Sequence, residues 1–391
     1  MKRIIIVNNN MKIGGVQKSL CNLLWEIEKD YDITLLLFNK IGELVEHIPP
    51  SVKIIESKGL FRYLGVSQGE CKENVKDYIV RGLLAFLTRL FGRRRITTLM
   101  CKRAPGLNEN FDYAVSYLHN GRNKAFYGGT QEYVLKCISA RKKVAFLHCD
   151  YLSSGANCKE NNQLLGLFDT IVACSDGCKD SVGVALPDLM YKVETICNFH
   201  PFDEICNMSL ENPLEYDGSY TNVIMVSRLS HEKGIERAIV SLAKAITRGC
   251  KVKLHIVGDG PMLSTLTDLV KEYHLDDNVV FYGAQQNPYR YMKNADLLLI
   301  TSYHEAAPMV IDEAVCLGVP TLTVETTSSK DMVLDRGCGW VCRNTDDELN
   351  KAFEVVVSKK DELSRIKESL LEHKVNNDRA KEQFKKVFSN K

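Results

Sequence analysis

The stretch Thr301-Ser-Tyr-His-Glu-Ala-Ala-Pro-Met-Val-Ile-Asp-Glu-Ala-Val-Cys-Leu-Gly-Val-Pro320 decides how this chain is read. An apolar strand from Ala295 to Thr301 runs into a short loop carrying Glu305, and a helix is expected to begin near Pro308. Proline suits a first helical position, because its missing N–H would be unpaired there anyway. Gly318 closes the helix, and Val319 to Val324 resume a buried strand. Glu305 thus stands at the mouth of a strand–loop–helix unit, with Glu313 on the helix's opening turns. Unpaired N–H groups at such a helix start suit an anion or a polar oxygen. Two glutamates eight positions apart also arise by chance in many helices, so the pair gains meaning only from its surroundings.

Upstream lies Val223-Ile-Met-Val-Ser-Arg-Leu-Ser-His-Glu-Lys-Gly234, a strand whose end presents Arg228 and Lys233. Between the two comes Leu254-His-Ile-Val-Gly-Asp-Gly-Pro261, a strand ending in a glycine turn. In doubly wound folds ligands bind outside the carboxyl ends of parallel strands. Three such ends here carry two cations, a glycine turn and two carboxylates.

This series, in order and spacing, resembles the retaining glycosyltransferases of family 4. The likeness covers most of Thr221 to Val324 and is looser in the amino-terminal half. It implies the GT-B fold, an α/β architecture of two Rossmann-like domains facing each other across a cleft, and a nucleotide-sugar donor, UDP-linked by family frequency. It assigns Glu313 to the nucleotide's ribose and Glu305 to hydroxyls of the transferred sugar. Gly258, Ala306, Ala307, Pro308, Met309 and Val310 become donor-binding positions. Retention of anomeric configuration also comes from the resemblance.

Composition sets the frame. The 391 residues are enough for two domains of ordinary size. Apolar residues make up 45% and charged ones 26%, as in globular chains, and the formal charge of +2 implies no polyelectrolyte such as nucleic acid as partner. The fourteen cysteines lack the repeated C-x2-C spacing of a zinc site. They read as reduced thiols of a cytosolic protein, several of them (Cys174, Cys197, Cys316) inside apolar strands. Lys2-Arg-Ile-Ile-Ile-Val-Asn8 enters a strand directly, with no signal-peptide core, and no apolar run reaches spanning length.

Alternating strand-like and helical runs predict parallel sheets. Seven strands are expected in the first half and five in the second, with Pro201 to Tyr220 as a polar linker. The expected organisation is an acceptor-binding domain over residues 1–200, a nucleotide-sugar-binding domain over 201–370, and a terminal helix in 371–391 that crosses back to the first domain.

Three further segments could carry chemistry. Asn8 to Ser19 holds Gly14 and Gly15 between a strand and a helix expected from Ser19 to Ile27. Glycines there let the backbone approach an anion, or simply make a turn; the resemblance makes them a loop over the donor diphosphate. His148-Cys-Asp-Tyr151 ends another strand, and the resemblance sets His148 against the donor sugar, with Asp150 and Tyr151 facing the acceptor. Val75 to Phe91 has apolar residues at 75, 78, 79, 83, 86, 87, 90 and 91, and no acid lies between Arg81 and Arg103. Segment 75–103 reads either as a helix packed on the core or as a basic amphipathic segment for an anionic membrane surface.

Charge explains the division of labour. Departure of a nucleoside diphosphate builds negative charge on the β-phosphate, which Arg228 and Lys233 would meet without a metal ion. The expected catalytic set is His148, Arg228, Lys233 and Glu305. Ala306 and Ala307 stand where relatives carry glycine and a bulky apolar residue, and Ser328 or Ser329 replaces a glycine, so the sugar's identity stays open. Two other classes compete. A nicotinamide or flavin enzyme would need the spaced third glycine that Gly258-Asp-Gly260 lacks. A non-catalytic GT-B partner subunit would have lost the cations or the glutamates. The expectation is therefore a transferase moving a hexose or N-acetylhexosamine to a polyprenyl-diphosphate-linked acceptor or a growing surface polysaccharide, in the cytoplasm or at the inner membrane face.

Overall fold

A computed structural model describes residues 1–104, 106–107 and 109–389. The chain divides into two compact units, one of Met1–Phe199 plus the chain end from Asp378, the other of His200–Asn377.

The first unit is built on a seven-stranded parallel sheet. Its strands are β1 (Lys2–Asn8), β2 (Tyr31–Leu37), β3 (Lys53–Glu56), β4 (Asn110–Ser116), β5 (Ser139–Leu147), β6 (Thr170–Ala173) and β7 (Val193–Thr195), in the order β3-β2-β1-β4-β5-β6-β7. Ile4 and Ile6 face one apolar layer and Ile5 and Val7 the other, as covering both faces of a sheet requires. Arg141-Lys-Lys143 lies within β5, and Lys143 Nζ reaches the Leu135 carbonyl at 2.9 Å. The first helix starts at Gly15, a turn earlier than Ser19.

The second unit repeats the design with β8 (Thr221–Val226), β9 (Val252–Val257), β10 (Val279–Gly283), β11 (Leu297–Ile300), β12 (Thr321–Val324) and β13 (Gly339–Cys342), in the order β10-β9-β8-β11-β12-β13, all parallel. β13 was not among the expected strands; it is four half-buried residues at the sheet's edge, too short to show a pattern. The expected linker is not bare either. Its Phe202–Ser209 helix buries Ile205 among Ile224, Ile311 and Ala314.

The final helix, Asp378–Phe388, packs Ala380, Phe384, Val387 and Phe388 into the first unit's core. Phe388 lies 5.0 Å from the Tyr113 ring, and its carbonyl accepts from Tyr113 Oη at 3.0 Å and Lys2 Nζ at 2.9 Å.

The Val75–Phe91 helix divides its apolar residues between two faces. Leu84 and Thr88 are buried, with Val80 and Leu87 against the core, while Val75, Ile79, Leu83, Phe86 and Leu90 are exposed. Most of the apolar set in the sequence thus faces outward, and the core-facing reading holds only for the narrower inner face. Arg93 also leaves the expected basic patch: it is fully buried, paired with Glu132 and bonded to Asn161. Glu132 accepts further bonds from Thr97 at 3.2 Å and Asn120 at 3.1 Å. A buried charge needs such partners, which the two terminal nitrogens of Arg93 find while its buried Nε has none.

Candidate donor and acceptor sites

Each sheet reverses its winding once, between β1 and β4 in the first unit and between β8 and β11 in the second. At such a point neighbouring connections diverge and leave a crevice over the carboxyl ends of the strands. Gly14 and Gly15 follow β1, and Arg228, Lys233 and Glu305 follow β8 and β11 at these points, while His148, Asp150 and Tyr151 follow the neighbouring β5 and Gly258 follows β9.

In the second unit the loop after β8 is held against β9 by main-chain bonds. Ser227 N donates to Val257 O at 3.1 Å and Leu229 N to Asp259 O at 2.9 Å. Gly258 makes this approach possible, since its φ of +140° is open only to glycine and a Cβ there would sit 1.9 Å from the Ser227 carbonyl oxygen. The same loop is then fastened to β11. Gly234 adopts a left-handed φ of +60°, and a Cβ on it would meet Thr301 O at 2.4 Å. The Thr301 hydroxyl donates to the carbonyls of Lys233 at 3.0 Å and Gly234 at 2.7 Å. That join puts Lys233 Nζ 2.6 Å from Glu305 Oε1, which also accepts from Ser302 Oγ at 2.7 Å. Both partners are mostly shielded from water, so the attraction is stronger than for a surface pair.

Arg228 stays exposed, pairing with Glu232 and reaching Ser230 Oγ at 3.4 Å. Burial alone would raise the Glu232 carboxyl, but bonds from Ser230, its own backbone and Arg228 hold it down at about 2. Arg237 was not read from the sequence, where it looks like one more charge on the Ile235–Thr247 helix. It is buried and donates to Thr301 O at 3.0 Å, Asn344 Oδ1 at 2.7 Å and Asp346 Oδ1 at 2.7 Å. Its role is to brace the end of β11 behind Lys233 and Glu305.

Pro308 caps the Met309–Cys316 helix rather than opening it, and no side chain caps that end. Glu313 is buried on this helix, and Tyr289 Oη lies 3.5 Å from its Oε1. Ser328, buried, donates to the Ala306 carbonyl, so the serine noted as a departure ties down the loop after Glu305. Cys316 ends this helix instead of lying in a strand, and Cys174 and Cys197 fall just past the ends of β6 and β7, so none of the three is within a strand as the sequence reading had expected.

In the first unit Gly14 and Gly15 open the helix after β1. Gly14 is extended, a Cβ on Gly15 would meet nothing within 4 Å, and no side chain caps this helix start. Gly15 thus has open space, whereas a Cβ on Gly14 would meet Gln17 Oε1 at 2.8 Å. Below them Ser19 Oγ lies 2.8 Å from Tyr117 Oη, and the Tyr117 ring packs 4.6 Å from the His148 ring. His148 Nε2 and His119 Nδ1 are both buried without a hydrogen-bond partner. Burial, and for His148 also repulsion from His119, lowers them to about 3 and about 4, so both rings are neutral near pH 7. His119 follows β4 at the reversal point and was missed because a lone histidine after an apolar run carries no signal. Asp150 accepts from Ser181 Oγ at 2.9 Å and from Leu152 N at 3.1 Å, fixing the turn after β5. Tyr151 is buried in the core with its hydroxyl on Asn162 at 2.7 Å, a packing position.

These two winding reversals define a doubly wound α/β protein of two parallel-sheet units, and the comparisons with known proteins place its second unit beside one family. Residues 211–372 match the family described as glycosyl transferases group 1, and the fold is GT-B. The chain is 31% identical over 120 residues to the N-acetyl-alpha-D-glucosaminyl L-malate synthase of Bacillus anthracis, covering 31% of each. It is 30% identical over 122 residues to the lipopolysaccharide 1,6-galactosyltransferase of Escherichia coli K12, covering 30% of this chain and 33% of that one. The matches thus span about a third of these relatives' length. Anabaena Alr3699/HepE, solved in complex with UDP and glucose, shares the fold across 100% of both chains, with a TM-score of 0.68 at 18% identity.

Proposed function

We propose that this chain is a retaining glycosyltransferase that needs no metal ion and moves a hexose or N-acetylhexosamine from a UDP-linked donor to a lipid-linked or growing surface-polysaccharide acceptor. The observation that carries the reading is the join of β8 to β11, which sets Lys233 against Glu305 at the winding reversal of the group 1 unit. Departure of UDP builds charge on the β-phosphate. Lys233 meets that charge, and Arg228, exposed and paired with a surface glutamate, can turn to join it. Glu305, released from Lys233 as phosphate takes its place, holds hydroxyls of the transferred sugar. Glu313 takes the ribose, Ala306, Ala307 and Pro308 line the donor loop, and Met309 and Val310 offer backbone N–H groups at the helix start. In the first unit the neutral His148 offers its unpartnered ring nitrogen to the sugar, and Asp150 stands on the acceptor side. Gly14 and Gly15 form the loop over the diphosphate, with open space at Gly15. The relatives' names favour UDP and an acceptor of surface-glycan type.

The exposed stripe of the Val75–Phe91 helix supports an acceptor held at a membrane surface. Its exposed apolar side chains, with Tyr78 and Phe91 among them, are flanked by the exposed cations Lys76, Arg89, Arg95, Lys102 and Arg103, a composition suited to anionic lipid. Among the described residues no helix is long and apolar enough to cross a membrane.

The deciding experiment offers UDP-, GDP- and ADP-sugars with and without EDTA and follows released diphosphate. Release from one donor, indifferent to EDTA and reduced by roughly 100-fold or more in Lys233→Ala, is the expected result. If calorimetry shows no binding to any donor, the chain is a non-catalytic partner and the proposal fails.

A further inference from the structure

Among the described residues Cys206 is the one exposed cysteine. It sits on the Phe202–Ser209 helix, and its Sγ lies 3.4 Å from the Sγ of Cys316, the last residue of the Met309–Cys316 helix. The two are 110 positions apart in the chain, so tertiary packing and not local sequence brings them together. A second close pair gives the contrast. Cys174 and Cys178 have their Sγ atoms 3.8 Å apart, but both are buried, out of reach of any reagent in solution.

We propose that Cys206 and Cys316 form a reversible thiol–disulfide site that responds to low-molecular-weight disulfides such as oxidised glutathione. A disulfide needs its sulfurs at about 2.0 Å, so contacting thiols need only a small side-chain adjustment to reach it. The exposed Cys206 thiolate attacks one sulfur of the small disulfide, forming a mixed disulfide and releasing one thiolate. The Cys316 thiolate then attacks Cys206 Sγ and releases the second, so two protein thiols are oxidised while one small disulfide is reduced to two thiols.

The order of attack follows from access. Burial first, and then contact with Cys206, pushes the Cys316 thiol up to about 12, which makes it the resolving and not the attacking group. The second step therefore quickens as pH rises. Cys316 is three residues beyond Glu313, so the crosslink would pin the end of that helix to the Phe202–Ser209 helix. The proposal does not depend on the donor reading.

The test exposes the full chain to graded glutathione redox buffers, then blocks thiols and maps non-reduced peptides by mass spectrometry. The expected product is a linked Cys206–Cys316 peptide pair, lighter by two hydrogens and reversed by dithiothreitol, with Cys174 and Cys178 still reduced. Cys316→Ala, which buries no new polar group, should stop at a glutathione adduct on Cys206. Cys206→Ser should leave Cys316 reduced. A wild-type chain that carries glutathione on Cys206 with no internal crosslink, or that matches Cys316→Ala in adduct yield, overturns the proposal.

Discussion

Gly234 shows what a single residue does here. Its left-handed backbone lets the loop after β8 lie on the Thr301 carbonyl, and the Lys233–Glu305 pair follows from that contact. The lysine and both glutamates were legible as a motif. The bracing by Arg237 was not, because its three partners come from two distant segments, Thr301 and Asn344 with Asp346. In the first unit His148 and His119 have pKa values below the ordinary 6.5 of an unfolded histidine. Between those values the unfolded chain binds protons that the folded chain refuses. Stability is therefore full above about pH 6.5 and is lost as pH falls towards the folded values. His255 in the second unit, lowered to about 4 mainly by burial, adds in the same direction. Urea titrations at about pH 5 and about pH 7.5 should show a smaller difference for His148→Asn than for wild type, by about 2 kcal/mol. Equal differences would mean that His148 is not held neutral by its surroundings.

At the scale of the element, the Val75–Phe91 helix shows how far periodicity reaches. Its amphipathic spacing is plain in the sequence, yet spacing identifies an apolar face without saying what that face meets. The structure gives the core the narrower face of Val80, Leu84 and Leu87, and leaves Val75, Ile79, Leu83, Phe86 and Leu90 to solvent. The two faces should therefore respond differently to mutation. Leu84→Ala should destabilise the first unit by about 3 kcal/mol, as a buried leucine does. The double variant Leu83→Gln, Phe86→Gln should change stability by no more than roughly 0.5 kcal/mol. It should also lose most of the chain's binding to phosphatidylglycerol vesicles, measured by co-sedimentation against phosphatidylcholine vesicles. Binding equal to wild type would remove the membrane role of this helix. β13 was illegible for the opposite reason: four residues at a sheet edge show no period at all.

For the whole molecule, the last helix is the feature with the widest consequence. Phe384, Val387 and Phe388 complete the apolar layer on one face of the first sheet, beside Tyr31 and Phe199. Ending the chain after Asn377 removes that cover. The two tryptophans allow each unit to be followed alone, since Trp25 lies in the first and Trp340 in the second. In single-tryptophan variants (Trp340→Phe or Trp25→Phe), truncation should lower the melting temperature reported by Trp25 by roughly 10 °C. The transition reported by Trp340 should stay where it is. An unmoved Trp25 transition would show that the helix contributes little to the first unit.

The sequence by itself determined the alternation of strands and helices, the parallel sheets and the group 1 motif series. Each of these is written in local pattern: apolar runs, glycine turns, and charged residues at strand ends. Tertiary structure alone decided which face of the Val75–Phe91 helix is covered, that Arg93 is buried on Glu132, and that Cys206 meets Cys316. These outcomes depend on segments 39 and 110 residues away, and on competition among several apolar faces for one core. Local periodicity carries no record of either.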